Sequence, residues 1–363
     1  MDQRTQGYYV SYGLCDGQES SACKSREVLV TGHQRRYNAL RIVVDNRLRG
    51  LVRGKSPREV KDACRYVLSA GGKRVRSTLL LLSCEAVGGT VRDAIDAGAA
   101  VELMHNFTLV HDDIMDNAPS RRGRPTVHTK WNVNNALLVG DILLGLAYKQ
   151  ALKTRVRNSA HLIDVFTTGL LDVCEGQAMD LEFERRMDVS VRDYFRMIEK
   201  KTGRLISTST ELGGIIGGGT KRQIEALRMF GHYLGRAFQL QDDLLDVIGE
   251  EKDFGKTIGG DIIEGKRTFL LLKALEESEG RNRSELMRVM KQRFSSPAST
   301  ADERRNEVRR IANIYRATGV MEAARERVRR DTQRAETALR MLPQSRAKET
   351  LLWFSQMLLK RKV

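Results

Sequence analysis

The residues most able to do chemistry fall in two short acidic runs. Asp112-Asp113-Ile114-Met115-Asp116 closes the mostly apolar stretch that begins at His105, and Asp242-Asp243-Leu244-Leu245-Asp246 closes another that begins near Gly235. On a helix, at about 100° per residue, Asp116 lies about 40° round from Asp112 and one turn further on, with His105 between them in angle. Asp113 sits at the margin of that face, about 100° from Asp112. In the second run Gln239, Asp242, Asp243 and Asp246 share an arc of about 100°. Carboxylates this close repel each other and are costly to bury unless a cation sits among them. One such face alone is common on solvated helices. Two copies, each following apolar residues and each followed by a cationic loop, fit hard oxygen ligands for magnesium, which keeps waters and accepts phosphate oxygens. The pattern predicts a diphosphate held between two carboxylate walls.

Cations are spaced to meet such an anion. Arg121, Arg122 and Arg124 lie in a loop with Pro119, Gly123 and Pro125 directly after the first wall, and Lys252, Lys256, Lys266 and Arg267, with Asp261 among them, follow the second. Gly71-Gly72-Lys73-Arg74-Val75-Arg76 ends one helix and opens another. There backbone amides, the helix dipole and guanidinium groups favour a dianion, although such a turn can also be a plain polar connection. Lys200-Lys201-Thr202-Gly203 opens a further helix, and a lysine inside a bundle must meet an anion or lose its charge. Gln177, after Glu175-Gly176, either completes a core hydrogen bond or reaches a metal-bound water. The glycine-rich stretch 213–219 lacks the GxxxxGK[ST] pattern and follows a helix, so it is not a P-loop.

The elements that must carry these groups are helices. The chain has 363 residues, 41% of them hydrophobic, enough for one large domain or two ordinary ones. With only five prolines and few aromatics, the composition predicts a nearly all-α fold. Residues 1–33 show no periodicity and read as a flexible extension. A helical pattern begins at about Arg36 and ends at Gly54. The stretch from about Asn132 to Leu152 is apolar nearly all round and reads as a central helix, with Asp141 its one buried-charge candidate.

Five cysteines without paired CxxC spacing indicate neither a disulfide framework nor a zinc site and suit a reducing cytoplasm. No apolar run approaches the roughly 18–20 residues of a membrane span, and the start lacks the plan of a signal peptide. The net charge is +16, and residues 301–363 contribute 16 Lys plus Arg against 8 Asp plus Glu. Nucleic acid or an anionic membrane surface would answer that excess. Interleaved arginines and glutamates without stacking aromatics read instead as solvated helix faces, so nucleic acid is not expected and peripheral membrane association stays open.

From about residue 37 onward the chain resembles the trans-prenyltransferases, the isoprenyl diphosphate synthases that join isopentenyl diphosphate to an allylic diphosphate. The resemblance rests on the Gly71–Arg76 run, His111–Asp116 with Arg121-Arg122-Gly123, Glu175-Gly176-Gln177, Lys201-Thr202-Gly203, Phe238–Asp246, and Gly255-Lys256 with Glu264–Arg267, in that order. Ser77 departs from the proline usual after the arginine, which should alter the turn and not the chemistry. The resemblance implies, over residues 34–363, a single-domain all-α bundle of roughly ten or more helices around a central cavity, commonly homodimeric. It also implies three magnesium ions on Asp112, Asp116 and Asp242, supported by Asp113, Asp246 and Gln177. Arg121, Lys201, Lys256 and Lys266 would neutralise the departing diphosphate. Gly72, Lys73, Arg76, His105 and Arg122 would hold isopentenyl diphosphate, and Thr202 and Gln239 would face the allylic cation.

Product length follows from the same resemblance. An aromatic five positions before the first aspartate, here Phe107, limits elongation, and Thr108 beside it is not aromatic. This combination implies a twenty-carbon product, with fifteen carbons as the alternative. Ideal helix geometry places Phe107 about 140° from Asp112, with Thr108 and Met104 nearer the pocket face. A terpene cyclase or a squalene-synthase-like enzyme would share fold and metal chemistry. A cyclase would replace the second aspartate run and need no second diphosphate site.

Overall fold

A computed structural model of the chain describes residues 21–52, 57–248, 259–291 and 300–359. Lys256 lies outside them. Among the described residues the fold is all-α apart from a two-stranded antiparallel ribbon in which Ser120 pairs with Pro125 and Arg121 with Arg124. The ribbon occupies the arginine-rich loop, where Pro119, Gly123 and Pro125 stop a helix. The principal helices are α1 (Ser21–Arg49), α2 (Arg58–Ser69), α3 (Val75–Ala86), α4 (Val91–Met115), α5 (Val127–Lys130), α6 (Val133–Ala151), α7 (Ser159–Phe183), α8 (Val191–Ile198), α9 (Arg204–Ile216) and α10 (Lys221–Ile248). Shorter helices at Gly260–Ile263, Phe269–Glu277 and Gly280–Lys291 precede the long ones Ala301–Ala317, Val320–Ala338 and Arg346–Leu359.

Local sequence explains the starts of several of these. The Asp93 carboxylate accepts from the Thr90 backbone N–H at 3.0 Å and from its hydroxyl at 2.6 Å, closing a capping box ahead of α4. Asp193 does the same for Ser190 ahead of α8. At the start of α3, Arg74 adopts φ +50°, and its buried side chain bonds Asp45 at 2.8 Å and Glu102 at 3.1 Å. Ser77, in the first turn of α3, donates to Glu102 at 3.0 Å.

Two apolar clusters fill the interior. The first gathers α1, α3, α4, α6, α7 and α9, with Leu79, Leu80, Leu81, Leu82, Leu103 and Met104 all at zero exposure. The second gathers α8 and the helices between Phe269 and Ala338. Helix α10 belongs to both: Leu227, Phe230 and Leu234 pack in the first, and Ala237, Leu240, Leu244 and Val247 in the second. Each fully buried leucine contributes about 1.5–3 kcal/mol through loss of water contact.

Two expectations need correction. Helix α1 is continuous from Ser21, so the described part of the 1–33 stretch is helical; a nucleated helix propagates cheaply through residues that carry no apolar pattern. The apolar α6 is not central. Val133, Leu137 and Leu138 are 47%, 42% and 50% exposed, and Asp141 is exposed beside them. Its apolar outer face made its pattern look buried all round, and α3 and α4 fill the centre instead. The interleaved charges of 301–338 do pair along the helix surfaces as expected, as in Arg305–Asp302 at 3.0 Å and Arg329–Glu326 at 2.8 Å.

Candidate active site

The first wall stands at the C-terminal end of α4. Asp112 is half-buried and Asp116 exposed at the helix C-cap. Burial pushes the Asp112 carboxyl up to about 6; the Lys201 ammonium opposite lowers it and Asp116 raises it. Asp113 is buried and accepts from Arg121 Nε at 2.6 Å, which ties the arginine ribbon to the end of α4.

The second wall lies on α10. Asp242 and Asp246 are half-buried, and Asp243 is fully buried. Asp243 accepts from the Tyr194 hydroxyl at 2.6 Å and from Gln239 Nε2 at 2.9 Å, while Gln239 Oε1 accepts from Thr202 Oγ1 at 2.8 Å. Burial, reinforced by Asp261, pushes Asp243 up to about 8. Asp246 accepts from the Asp261 backbone N–H at 3.0 Å, which brings the 260–267 segment over the end of α10. There Lys266 pairs with Glu264 at 2.7 Å and Asp261 at 3.6 Å, and these anions outweigh the burial that opposes its charge.

Between the walls, Lys201 and Thr202 project from a π-helical turn, Glu199–Gly203, that joins α8 to α9. Lys201 Nζ donates to Asp180 of α7. A cavity of about 100 Å³ is lined by Asp180, Tyr194, Lys201, Thr202, Gln239, Asp243, Asp261 and Lys266, among others. A larger open groove of about 320 Å³, lined by Phe195, Phe269, Lys273 and Arg327 among others, holds none of these groups.

A cationic corner forms where the 71–76 turn, α4 and the ribbon meet. Arg76 Nη1 lies 3.0 Å from His105 Nε2. Arg122, itself at φ +53°, donates to the Gly71 carbonyl and covers Gly72 so closely that a Cβ there would lie 3.1–3.3 Å from the guanidinium. Gly72 has φ +143°, a second reason for glycine. Lys73 is exposed at the same turn, and its carbonyl accepts from the Tyr37 hydroxyl. Burial, then Arg76 and Arg122, depress the His105 imidazole well below its ordinary range. Arg76 is disfavoured by its own burial but supported by Glu102 and by Asp242 of the second wall. Asp242 of the second wall is thus near enough to the corner for its charge to be felt at Arg76.

Behind Asp112, Met104 is fully buried, and Thr108 is buried with its hydroxyl donating to the His105 carbonyl at 2.9 Å. Phe107 packs edge-on against His111, ring centroids 4.7 Å apart.

The donor set suits a divalent cation shared with an anion. Among the described residues no group of three or more carboxylate, imidazole or thiol side chains converges on one point. Neither wall therefore forms a closed cage by itself. Gln177 agrees: it is buried, and neither its amide oxygen nor its nitrogen has a hydrogen-bond partner. A buried amide in that state wants a polar ligand. Sequence reasoning singled out Gln177 but gave Asp180 and Tyr194 no role, because their function lies in contacts 21 and 49 residues away.

Residues 57–305 match the family model for polyprenyl synthetase. The chain belongs to the polyprenyl synthetase family. This polyprenyl synthetase is 37% identical over 328 residues to a short chain isoprenyl diphosphate synthase of Methanothermobacter thermautotrophicus, covering 90% of this chain and 97% of that one. It is 43% identical over 246 residues to a geranylgeranyl diphosphate synthase of Saccharolobus solfataricus, covering 67% and 74%. Its fold is similar to the crystal structure of geranylgeranyl pyrophosphate synthetase from Pyrococcus horikoshii, with a TM-score of 0.84, 35% identity, and coverage of 93% and 100%. It is a prenyltransferase.

Proposed function

We propose that this prenyltransferase condenses isopentenyl diphosphate with allylic diphosphates and stops at geranylgeranyl diphosphate, twenty carbons long. The observation that supports the reading is the pairing of two carboxylate runs with fixed cations, Arg121 on Asp113 at 2.6 Å and, beside the second run, Lys266 on Asp261 at 3.6 Å, next to a separate cationic corner of Arg76, His105 and Arg122. Two anion sites side by side suit a reaction between two diphosphates. A cyclase has only one.

In this reading Asp112 and Asp116 on one side and Asp242 on the other hold magnesium, with Asp113, Asp246 and Gln177 supporting. Magnesium there supplies positive charge where pyrophosphate gains negative charge as the carbon–oxygen bond breaks. Lys201, Lys266 and Arg121 add fixed cations on the same side of the allylic diphosphate and need no reorganisation as charge develops. Thr202 and Gln239 present oxygen dipoles to the electron-poor carbon, and the Thr202–Gln239–Asp243–Tyr194 chain fixes their orientation. Lys73, Arg76, Arg122 and His105 hold the second diphosphate, which aims the double bond of isopentenyl diphosphate at that carbon. His105 would gain a proton beside an added dianion, since burial and two arginines alone keep it neutral.

Phe107, Thr108 and Met104 bound the growing tail, with Phe107 braced by His111. The exposed apolar side chains Val133, Leu137 and Leu138 of α6 support a second copy packing there as a homodimer. Among the described residues no helix is long and apolar enough to cross a membrane. Cytoplasmic action, with any membrane contact made through the basic C-terminal segment, remains the reading for its location.

Incubation with labelled isopentenyl diphosphate and, separately, dimethylallyl, geranyl and farnesyl diphosphates tests the proposal. All three should converge on a twenty-carbon end product. Accumulation of farnesyl diphosphate alone, or of products beyond twenty carbons, would overturn the length assignment.

A further inference from the structure

Lys201 and Thr202 reach the site from an unusual piece of backbone. The π turn Glu199–Gly203 fits one more residue into its hydrogen-bonded ring than an α turn, and such turns persist where surrounding structure holds them. Two glycines admit it: a Cβ at Gly176 of α7 would collide with the Lys201 backbone, and one at Gly235 of α10 with the Gly203 backbone. Steric fit allows the turn but does not fix its register. A charge network does the fixing. Arg236 Nη1, next to Gly235, donates to Glu199 Oε1 at 2.9 Å, at the first residue of the turn. Arg236 Nε lies 3.2 Å from Asp331 Oδ2, and the Asp331 side chain has no solvent exposure. Arg327 at 3.3 Å and Arg334 at 3.7 Å hold Asp331 from its own helix. The guanidinium groups of Arg236 and Arg327 also lie over the Phe195 ring, at 4.8 and 4.5 Å.

We infer that Asp331, acting through Arg236 and Glu199, locks the π turn and so sets where Lys201 and Thr202 stand. Asp331 lies beyond the 57–305 stretch shared with the family model, so the C-terminal helix Val320–Ala338 takes part in the reaction as a positioning element. Arg236 sits between two anions because it must hold both. Its removal leaves Asp331 buried with weaker compensation and Glu199 without its closest cation. The inference rests on the role given above to Lys201.

The test is a kinetic double-mutant cycle in the full chain. Glu199→Gln keeps the shape of a side chain that is about one-third exposed, and Asp331→Asn keeps the volume at the far end of the network. Each is measured alone and in a Lys201→Ala background, with kcat normalised to the folded fraction from circular dichroism. Expected are a loss of about tenfold in kcat for either single variant, an unchanged KM for isopentenyl diphosphate, and less than a further twofold loss once Lys201 is gone. A kcat within twofold of the parent for both variants would overturn the inference. So would an equal factor lost in both backgrounds, or a loss confined to the KM of isopentenyl diphosphate. Undiminished turnover in Lys201→Ala alone would sink the role of Lys201 itself, and the network's purpose with it.

Discussion

The two aspartate walls share one pattern and live in different surroundings. On α4 the middle residue, Asp113, is paired with a cation, Arg121, and the outer two stand near solvent. On α10 the middle residue, Asp243, is buried against two uncharged donors, Tyr194 and Gln239, which tie it to Thr202. The first wall is anchored by charge to a loop and the second by neutral hydrogen bonds to the interior. The Arg121 end of the first pair is partly open to solvent, which screens it, whereas a fully buried network is sensitive to each member. Identical spacing thus yields one wall that can adjust and one that is rigid.

The largest effects should show where the walls are equivalent. Asp112→Asn and Asp242→Asn should each lower kcat by about 10³-fold, with unfolding midpoints close to the parent by thermal denaturation. A tenfold difference between them would break the symmetry of the pair. The middle positions should separate the walls: Asp243→Ala leaves Tyr194 and Gln239 with an unmet donor each and should cost about 2–4 kcal/mol in denaturant unfolding, more than Asp113→Ala, which leaves only the partly exposed Arg121 without its partner. Equal costs would remove the distinction.

Gln177 offers a test with opposite signs. Replacing its unpaired buried amide by leucine should raise stability by about 1 kcal/mol while lowering turnover by about 10²-fold, read by chemical denaturation and product assay on one preparation. A loss of both would mean that the amide serves the core. On the first wall, Phe107→Ala should lengthen the product beyond twenty carbons and Thr108→Phe should shorten it to fifteen, by chromatography of the dephosphorylated alcohols.

A further contrast concerns His105. Its folded pKa is depressed below the unfolded value of about 6.5, so the stability it permits is present above that value and lost as pH falls. Below pH 6.5 the unfolded chain takes a proton that the ligand-free folded chain refuses, a slope of about 1.4 kcal/mol per pH unit. His105→Gln should therefore flatten the fall in unfolding free energy between pH 6.5 and 5. An unchanged slope would show that His105 protonates without penalty.

Much of the candidate site was legible as a proposal because its residues cluster locally in sequence. Asp112 with Asp116, Asp242 with Asp246, and the 71–76 turn each carry their meaning within a few residues. The all-α fold was legible from composition. What stayed hidden depends on distance along the chain: Asp180 under Lys201, Tyr194 under Asp243, Asp331 behind Arg236. Periodicity also misled at α6, since an apolar outer face and a buried one look alike until neighbours are known.

Helix α10 runs unbroken through both apolar clusters, and this limits how the protein can open. Splitting the walls apart by a hinge would require breaking that helix in the middle, at Leu234 to Ala237, against packing on both sides. Release of a long product must then come from yielding of the segments at the rim, while amide protons along 227–245 exchange only with global unfolding. Slow exchange there, beside faster exchange in the ribbon and in 260–266, would mark α10 as the fixed spine of the catalytic cycle.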